Sequence, residues 1–461
     1  MIFDIDKRNP QNLAAIDDSG QSITNGELCE FSKDFSKVIG KRTLIFILSE
    51  NTIGSFAGYV ACLSKKIVPL ILSCNTDKEL LQNLVDLYKP QFFWVPDRLT
   101  EELGYKKLFS SFGFTLLKTD FETYQMLPEL ALLLPTSGST GSPKLVRHSY
   151  SNIINNAINV AAFFEITSND RPIAILPMHY TMGLSVIASH LSREATILLV
   201  KKNLTDKELW EFIKFNKATS FTGVSFSFEV LYRLRVFRMD LPHLKIFTQG
   251  GGKLREELFV EFAQYAEKSG KKFIATYGQT EGTARMAYLP AELATSKTGS
   301  IGKAIPNGKL WLVDEHGNEI EQKEAEGQMV YSGPNVTLGY ANSANDLAKG
   351  DENNGVLFTG DIASRDADGC YYIIGRMKRF LKIYGFRLSL DEMEQMIKSA
   401  YNIDCVCTGD DDHLRIIITN EEFKQKVLDL IVEKTGLFHM AVKVEVVDEI
   451  KKNEIGKTLY Q

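Results

Sequence analysis

Residues 132–148 read LLLPTSGSTGSPKLVRH, an apolar strand that breaks into small hydroxyl residues and glycines and closes on a lysine. Gly138 and Gly141 allow backbone conformations that turn several amide N–H groups inward, Thr136, Ser137, Ser139 and Thr140 add hydroxyl donors, and Lys144 supplies a mobile positive charge. Together they suit a polyphosphate. The P-loop needs a second glycine where Pro143 stands, and the later Gly456-Lys457-Thr458 has Lys451 in place of that pattern's first glycine. Both matches therefore fail on spacing. A Ser/Gly-rich surface linker is the alternative reading of the loop, and the apolar strand feeding directly into it argues against that.

Further groups follow in order along the chain. Tyr277-Gly278-Gln279-Thr280-Glu281 comes after a strand-like run, Gly250-Gly251-Gly252 after another, and then Thr359-Gly360-Asp361, the basic stretch 375–382 and Asn453-Glu454-Ile455-Gly456-Lys457. A carboxylate such as Glu281 is a ligand for a hard cation that bridges phosphates. Asp361 offers two oxygens as acceptors. A lysine between two approaching anions neutralises both and needs no proton transfer to do so. Taken singly, each has an ordinary reading: a capping acid, a plain glycine loop, a solvated basic turn, a tail lysine.

As an ordered set these segments resemble the motifs of the adenylate-forming (AMP-binding) superfamily, which includes acyl- and aryl-CoA synthetases, luciferases and amino-acid adenylation domains. The resemblance runs from residue 136 to residue 457. It implies that Thr136, Ser137, Gly138, Ser139, Thr140, Gly141 and Lys144 cradle the phosphates of ATP. Tyr277 would pack on adenine beside Gly278 and Gln279, Thr280 would contact the α-phosphate, and Glu281 would bind Mg2+. Gly251 and Gly252 would line the nucleotide and acyl pocket. Asp361 would hold the ribose hydroxyls, Arg376 would lie near ribose and phosphate, and Lys457 would join carboxylate to α-phosphate. Lys378 would be the hinge of a mobile lid. The implied chemistry has two halves: a carboxylate attacks the α-phosphate of ATP, giving acyl-adenylate and pyrophosphate, and a thiol of CoA or of phosphopantetheine on an acyl carrier protein then takes the acyl group.

Residues 176–183, LPMHYTMG, resemble the segment in which CoA synthetases carry a pocket-gating histidine, here His179. An ordinary packed histidine is the alternative. Amino-acid adenylation domains usually place an aspartate there to pair with the substrate ammonium, and 176–200 contains no acid except Glu194. A desolvated ammonium needs such a counter-charge, so the expected substrate is a small carboxylic acid without an α-amino group. A stand-alone amino-acid adenylation enzyme that loads a carrier protein is the competing reading, and a nucleotide-binding relative without turnover is a third. Leu145 stands where most of the family have glycine, Lys451 where proline is usual, and the short lid leaves the acceptor open.

The elements that must position these groups follow from hydrophobic periodicity. Helices over 25–39, 55–64, 77–88, 151–164, 183–191, 206–216 and 227–236 alternate with strands over 42–49, 67–72, 91–95, 130–134, 172–176, 195–200, 220–223 and 244–248, which predicts largely parallel sheets covered on both faces. From about 298 to 374 short strands with turn signals predict an antiparallel, β-rich piece, and the remainder predicts a small α+β unit. The expected class is α/β, with an N-terminal body at 1–377 and a mobile lid at 378–461. The 461 residues are 44% apolar with a formal net charge of -5, which gives no nucleic-acid footprint. The longest apolar runs are strand length, no secretory leader pattern is read, and a cytoplasmic location is expected. Six scattered cysteines make no disulfide framework, and Cys405 and Cys407 read as buried thiols.

Overall fold

The computed structural model describes residues 2–135, 144–383, 386–409, 413–435, 437–452 and 458. Among them, two large sheets carry the fold. Leu13–Asp17, Ile197–Leu199, Pro172–Ala174, Ser220–Gly223, Ile246–Gln249 and Lys272–Tyr277 pair in parallel as the centre of one. Leu44–Ser49, Val68–Ser73, Phe92–Pro96 and Leu130–Pro135 form the parallel centre of the other.

Between the two sheets lie the helices Asn25–Ile39, Ile53–Ser64, Tyr150–Phe163 and Thr181–Leu191, which share one hydrophobic core with strand residues such as Ala15, Ile45, Leu132 and Ile197. IGSFAGYVACLS and TMGLSVIASHL carry no acid or strong base. A helix packed between two sheets has no face for water, and these two have no polar stripe to offer it. Outside, Lys207–Phe215, Ser225–Arg233 and Glu256–Lys268 cover the far face of the first sheet. The last buries only Leu258, Phe259, Phe262, Ala263 and Ala266, one stripe of an otherwise charged helix. Lys78–Tyr88 covers the far face of the second sheet.

The predicted β-rich piece is an antiparallel sheet of Lys309–Val313, Ala325–Ser332, Val356–Arg365 and Tyr371–Arg376. Residues between Leu381 and Val444 bury a core of their own, built on the strands Cys405–Gly409, Leu414–Ile418 and Val442–Val446 and the helices Leu390–Tyr401 and Lys424–Thr435. Cys405 and Cys407 are buried in it as free thiols. Arg255 Nη1 donates to Asn402 Oδ1 at 2.5 Å, tying this unit to the large one. Among the described residues no helix is long and apolar enough to cross a membrane.

Several antiparallel pairings escape the periodic reading, among them three short ones. Leu145–Ser149 folds back on Leu130–Pro135, Lys106–Ser111 and Phe114–Lys118 make an edge hairpin, and Phe380–Ile383 pairs with Phe386–Ser389 where the sequence resembles the hinge segment. Each is four to six residues long, and charged side chains interrupt the alternation by which a strand is recognised.

Candidate active site

The loop residues Thr136, Ser137, Gly138, Ser139, Thr140 and Gly141 lie outside the described residues, as does Lys457. Lys144 is described, immediately before the strand Leu145–Ser149. Its Nζ sits 3.3 Å from the centroid of the Tyr340 ring, a cation–π contact. The Tyr340 hydroxyl donates to Glu281 Oε1 at 2.7 Å. Burial, and then the neighbouring Glu281 carboxylate, push that hydroxyl's pKa up, so it stays a donor. The expected phosphate-binding cation and the expected metal-binding carboxylate thus meet on the two ends of one tyrosine.

Tyr340 is held by its strand. Tyr340–Ala341 pairs with Val146 and Leu145, and Leu145, the departure from glycine, is a buried core residue at that pairing. Arg147, fully buried, donates from Nε to the Tyr340 carbonyl, from Nη1 to Lys349 O, and from Nη2 to Leu338 O, Gly350 O and Glu352 Oε2. A planar fork of fixed donors suits this task and an ammonium does not.

Glu281 rides on the turn Thr280–Gly282 after the strand Lys272–Tyr277. The chain doubles back here so closely that a Cβ on Gly278 would lie 1.3 Å from the Ala284 carbonyl oxygen. Thr283 and Ala284 take positive φ, 51° and 76°, a conformation that costs free energy in residues with a Cβ. Buried hydrogen bonds hold them there: Thr283 Oγ1 donates to Asn335 O at 2.7 Å and faces His148 Nδ1 at 3.2 Å, and Asn335 Nδ2 donates to Gly282 O at 2.7 Å. Thr280 Oγ1 accepts from Thr181 Oγ1 at 3.0 Å, joining this turn to the start of the helix Thr181–Leu191.

Asp361, 4% exposed, receives the Tyr277 hydroxyl and, at 2.9 Å, Gln279 Nε2 on the same oxygen, while Arg376 Nε lies 3.5 Å from the other. Burial raises the Asp361 pKa, against the lowering by the Tyr277 hydroxyl, Arg376 and Gln279. Asp361 and Arg376 are cross-strand partners. Ribose hydroxyls that took both oxygens of this carboxylate would have to share Oδ2 with the Tyr277 hydroxyl or displace it. Lys378 follows in the turn Met377–Arg379.

His179 lies on the turn leading into Thr181–Leu191, its ring 4.6 Å from that of Tyr180. Asn51 secures this turn: Nδ2 donates to Ala174 O, Leu176 O and Val200 O, and Oδ1 accepts from Met178 N. Across from it, a Cβ on Gly250 would meet Thr276 Oγ1 at 2.7 Å and Met182 Sδ at 3.0 Å, and Gly251 has φ +77° beside Val224. Gly252 O accepts from Gln249 Nε2 at 2.7 Å. The glycines leave room where side chains would fill the space beside the helix.

Tyr340, Arg147, Asn335 and Asn51 are absent from the sequence-based set. Tyr340 lies 59 residues from Glu281, and only the sheet pairing brings them together. Among the described residues no group of three or more His, Cys, Asp or Glu could hold a metal ion by itself, so a cation here would draw on Glu281 together with phosphate oxygens.

The fold is that of the adenylate-forming enzymes. Over 99% of this chain it is similar to o-succinylbenzoate CoA synthetase (MenE) from Bacillus subtilis in complex with the acyl-adenylate OSB-AMP, with a TM-score of 0.82, 21% identity and 96% of that chain covered. ATP-bound MatB from Rhodopseudomonas palustris aligns with a TM-score of 0.80 and 20% identity, over 99% of this chain and 97% of that one. The model of the AMP-binding enzyme family matches residues 3–341, and the chain belongs to that family. A relative, 2-succinylbenzoate–CoA ligase of Bacillus subtilis (strain 168), is 24% identical over 473 residues, 98% of this chain and 94% of that protein. Oxalate–CoA ligase of Arabidopsis thaliana is 25% identical over 346 residues, 71% of this chain and 65%, less than two thirds, of that protein.

Proposed function

We propose that this enzyme is an ATP-dependent, AMP-forming acid–thiol ligase. A carboxylate attacks the α-phosphate of ATP and pyrophosphate leaves; the thiol of CoA then attacks the acyl carbon, AMP leaves and the thiol proton goes to solvent. The observation that carries the reading is the junction of Lys144, Tyr340 and Glu281 within one fold with the Tyr277–Asp361–Arg376 group. A cation for phosphate, a carboxylate for Mg2+ and a carboxylate for ribose are the groups an adenylating site needs. The relative aligned along 98% of this chain is named a CoA ligase, which supports CoA as acceptor; phosphopantetheine on a carrier protein is the alternative acceptor.

Bound Mg2+ would screen the triphosphate and favour loss of pyrophosphate. Thr280 donates toward the α-phosphate, Tyr277 moves from Asp361 onto adenine as ribose arrives, and His179 borders the acid's entry beside Gly250 to Gly252. Lys457 enters from the lid, 378–461, which swings about Lys378 against the body, 1–377. Glu194 is exposed and lies beyond the end of the helix Thr181–Leu191, too far along to serve as counter-charge for an ammonium, so an acid without an α-amino group is the substrate.

Acid-dependent ATP–pyrophosphate exchange with Mg2+, run without acceptor over short, medium and aromatic carboxylic acids and the common amino acids, tests this. Exchange with carboxylic acids, followed by thioester formation on adding CoA, is the expected result. Exchange only with amino acids would replace this reading by the carrier-loading one.

A further inference from the structure

Arg171, Thr219 and Lys245 stand side by side at one end of the first sheet. Each immediately precedes a strand, and the first residues of those strands, Pro172, Ser220 and Ile246, are in register. Backbone bonds carry the register one residue further back: Thr219 N donates to Arg171 O at 2.9 Å and Lys245 N to Thr219 O at 2.7 Å. Equivalent residues of parallel strands face the same way, so this row shares the face of Ile173, Phe221 and Phe247, which pack under the outer helices. At about 4.8 Å per strand, the backbones of Arg171 and Lys245 lie roughly 10 Å apart, with Thr219 between them.

The helix Lys207–Phe215 ends beside this row. Between the two is a surface cavity of about 340 Å3, which Lys217, His243 and the Phe215 ring also border. Its charge is one-sided. No acid lines it, and among the described residues none of its four basic side chains has a carboxylate within ion-pair distance. Glu165 and Asp240, near in sequence, are held by Lys272 and Lys214. Arg171 Nη1 donates to Asn216 O at 3.2 Å, which fixes the guanidinium without neutralising it.

A lysine just past a helix, as Lys217 is, has an ordinary reason to be there in the helix dipole. Arg171 and Lys245, at strand starts, have none. Phe215 is 86% exposed, the highest value of any large apolar side chain among the described residues. Three cations, an imidazole and a bare ring thus meet in one depression of a chain whose formal net charge is -5.

We propose that this cavity is a second ligand site, which binds a nucleoside diphosphate with its phosphates across Arg171, Lys245 and Lys217 and its base on Phe215. Phosphoryl oxygens suit a guanidinium fork and ammonium groups, and cations spread over ~10 Å suit two phosphoryl groups better than one. The volume lies in the range of small organic ligands, above what a bare phosphate needs. An exposed aromatic ring is a platform on which a base of any kind stacks. The catalytic centre is elsewhere: Gly250 and Tyr277 stand at the opposite ends of Ile246–Gln249 and Lys272–Tyr277, four to six residues or ~13–20 Å away. Occupancy here is independent of the ligase reading.

Lysine acetylation by N-hydroxysuccinimidyl acetate, read by peptide mass spectrometry, reports on Lys217 and Lys245 separately from the catalytic centre. Millimolar ADP or GDP should slow labelling of both at least threefold, while that of Lys33, exposed on the helix Asn25–Ile39, stays unchanged. The ADP concentration for half protection of Lys217 should rise at least tenfold in Arg171→Gln and in Lys245→Gln, at least threefold in Phe215→Ala, and with added salt. Lys245 and Phe215 are exposed, so those two variants should melt as wild type does. Without added nucleoside diphosphate, ATP–pyrophosphate exchange should be the same in all three as in wild type.

No protection by either nucleotide overturns the site. So does protection that survives all three substitutions, which would be relayed from the catalytic centre. Pyrophosphate protecting as well as ADP, with no loss in Phe215→Ala, overturns the nucleotide in favour of a bare anion pocket. Protection by phosphatidylserine vesicles and not by nucleotides overturns it in favour of a membrane surface.

Discussion

At the scale of single residues, the site depends on a tyrosine that no motif contains. The Tyr340 ring carries Lys144 on its face and the hydroxyl holds Glu281, so the two contacts can be separated. Tyr340→Phe keeps the first and removes the second. Exchange activity should then fall about ten- to a hundredfold, in line with the ~1.5–3 kcal/mol of one hydrogen bond to a charged group, and the Mg2+ concentration needed for half-maximal rate should rise. Tyr340→Ala should lose more, because Lys144 loses its platform as well. An unchanged Mg2+ titration in Tyr340→Phe would separate Glu281 from the metal. Gly278 makes a different demand: Ala at this position would place a methyl carbon 1.3 Å from a carbonyl oxygen. Gly278→Ala should open the Thr280–Gly282 turn and abolish exchange, while circular dichroism still reports the α/β fold.

At the scale of elements, Arg147 and the buried histidines show how distant segments are bound to that turn. Arg147→Lys leaves several carbonyls from Leu338 to Gly350 without donors, in a place where burial makes each loss expensive. Stability should fall by about 3–5 kcal/mol in urea denaturation, the scale of two or three buried carbonyls left unsatisfied at about 1–3 kcal/mol each, and hydrogen exchange over 338–352 should quicken. His148 and His190 are both buried, and burial lowers their pKa to about 3 and about 4. Unfolded, each titrates near 6.5. Between those values the unfolded chain binds more protons, so their contribution is complete above 6.5 and is lost as pH falls, by about 2 kcal/mol from each histidine at pH 5. The melting temperature should drop between pH 7 and pH 5, and His148→Gln should flatten that drop. Sequence periodicity found the helices and parallel strands that carry these groups because one face, or both, is apolar over a whole element. It missed Leu145–Ser149 and Tyr340–Ala341, whose five and two residues are set by pairing with chain far away. The motif spacing named Glu281, Asp361 and Lys144; Arg147, Asn335 and Tyr340 belong to the packing around them, which local pattern does not encode.

For the whole molecule, the question is how two half-reactions share one site. The large unit carries Lys144, Glu281 and Asp361, and the residues after Leu381 bury a separate core, joined to the rest through Arg255 and Asn402 and through Arg376 N and Asp391 Oδ2. Exposed contacts such as these can be exchanged for others at small cost. If the lid brings Lys457 to the carboxylate and α-phosphate for the first half-reaction and withdraws it for the second, the two steps must respond differently to change in the lid. Lys457→Ala should reduce ATP–pyrophosphate exchange by at least a hundredfold, the scale of losing a charge placed at a transition state, while thioester formation from supplied acyl-adenylate and CoA falls less than tenfold. Lys378→Pro, which fixes φ at the turn Met377–Arg379, should do the reverse, sparing exchange and slowing thioester formation. Both variants should melt near wild type, since neither change removes a residue from the core clusters. Parallel losses in both half-reactions, for both variants, would mean that the C-terminal unit does not alternate, and the acceptor would then have to reach the adenylate by a path within the large unit.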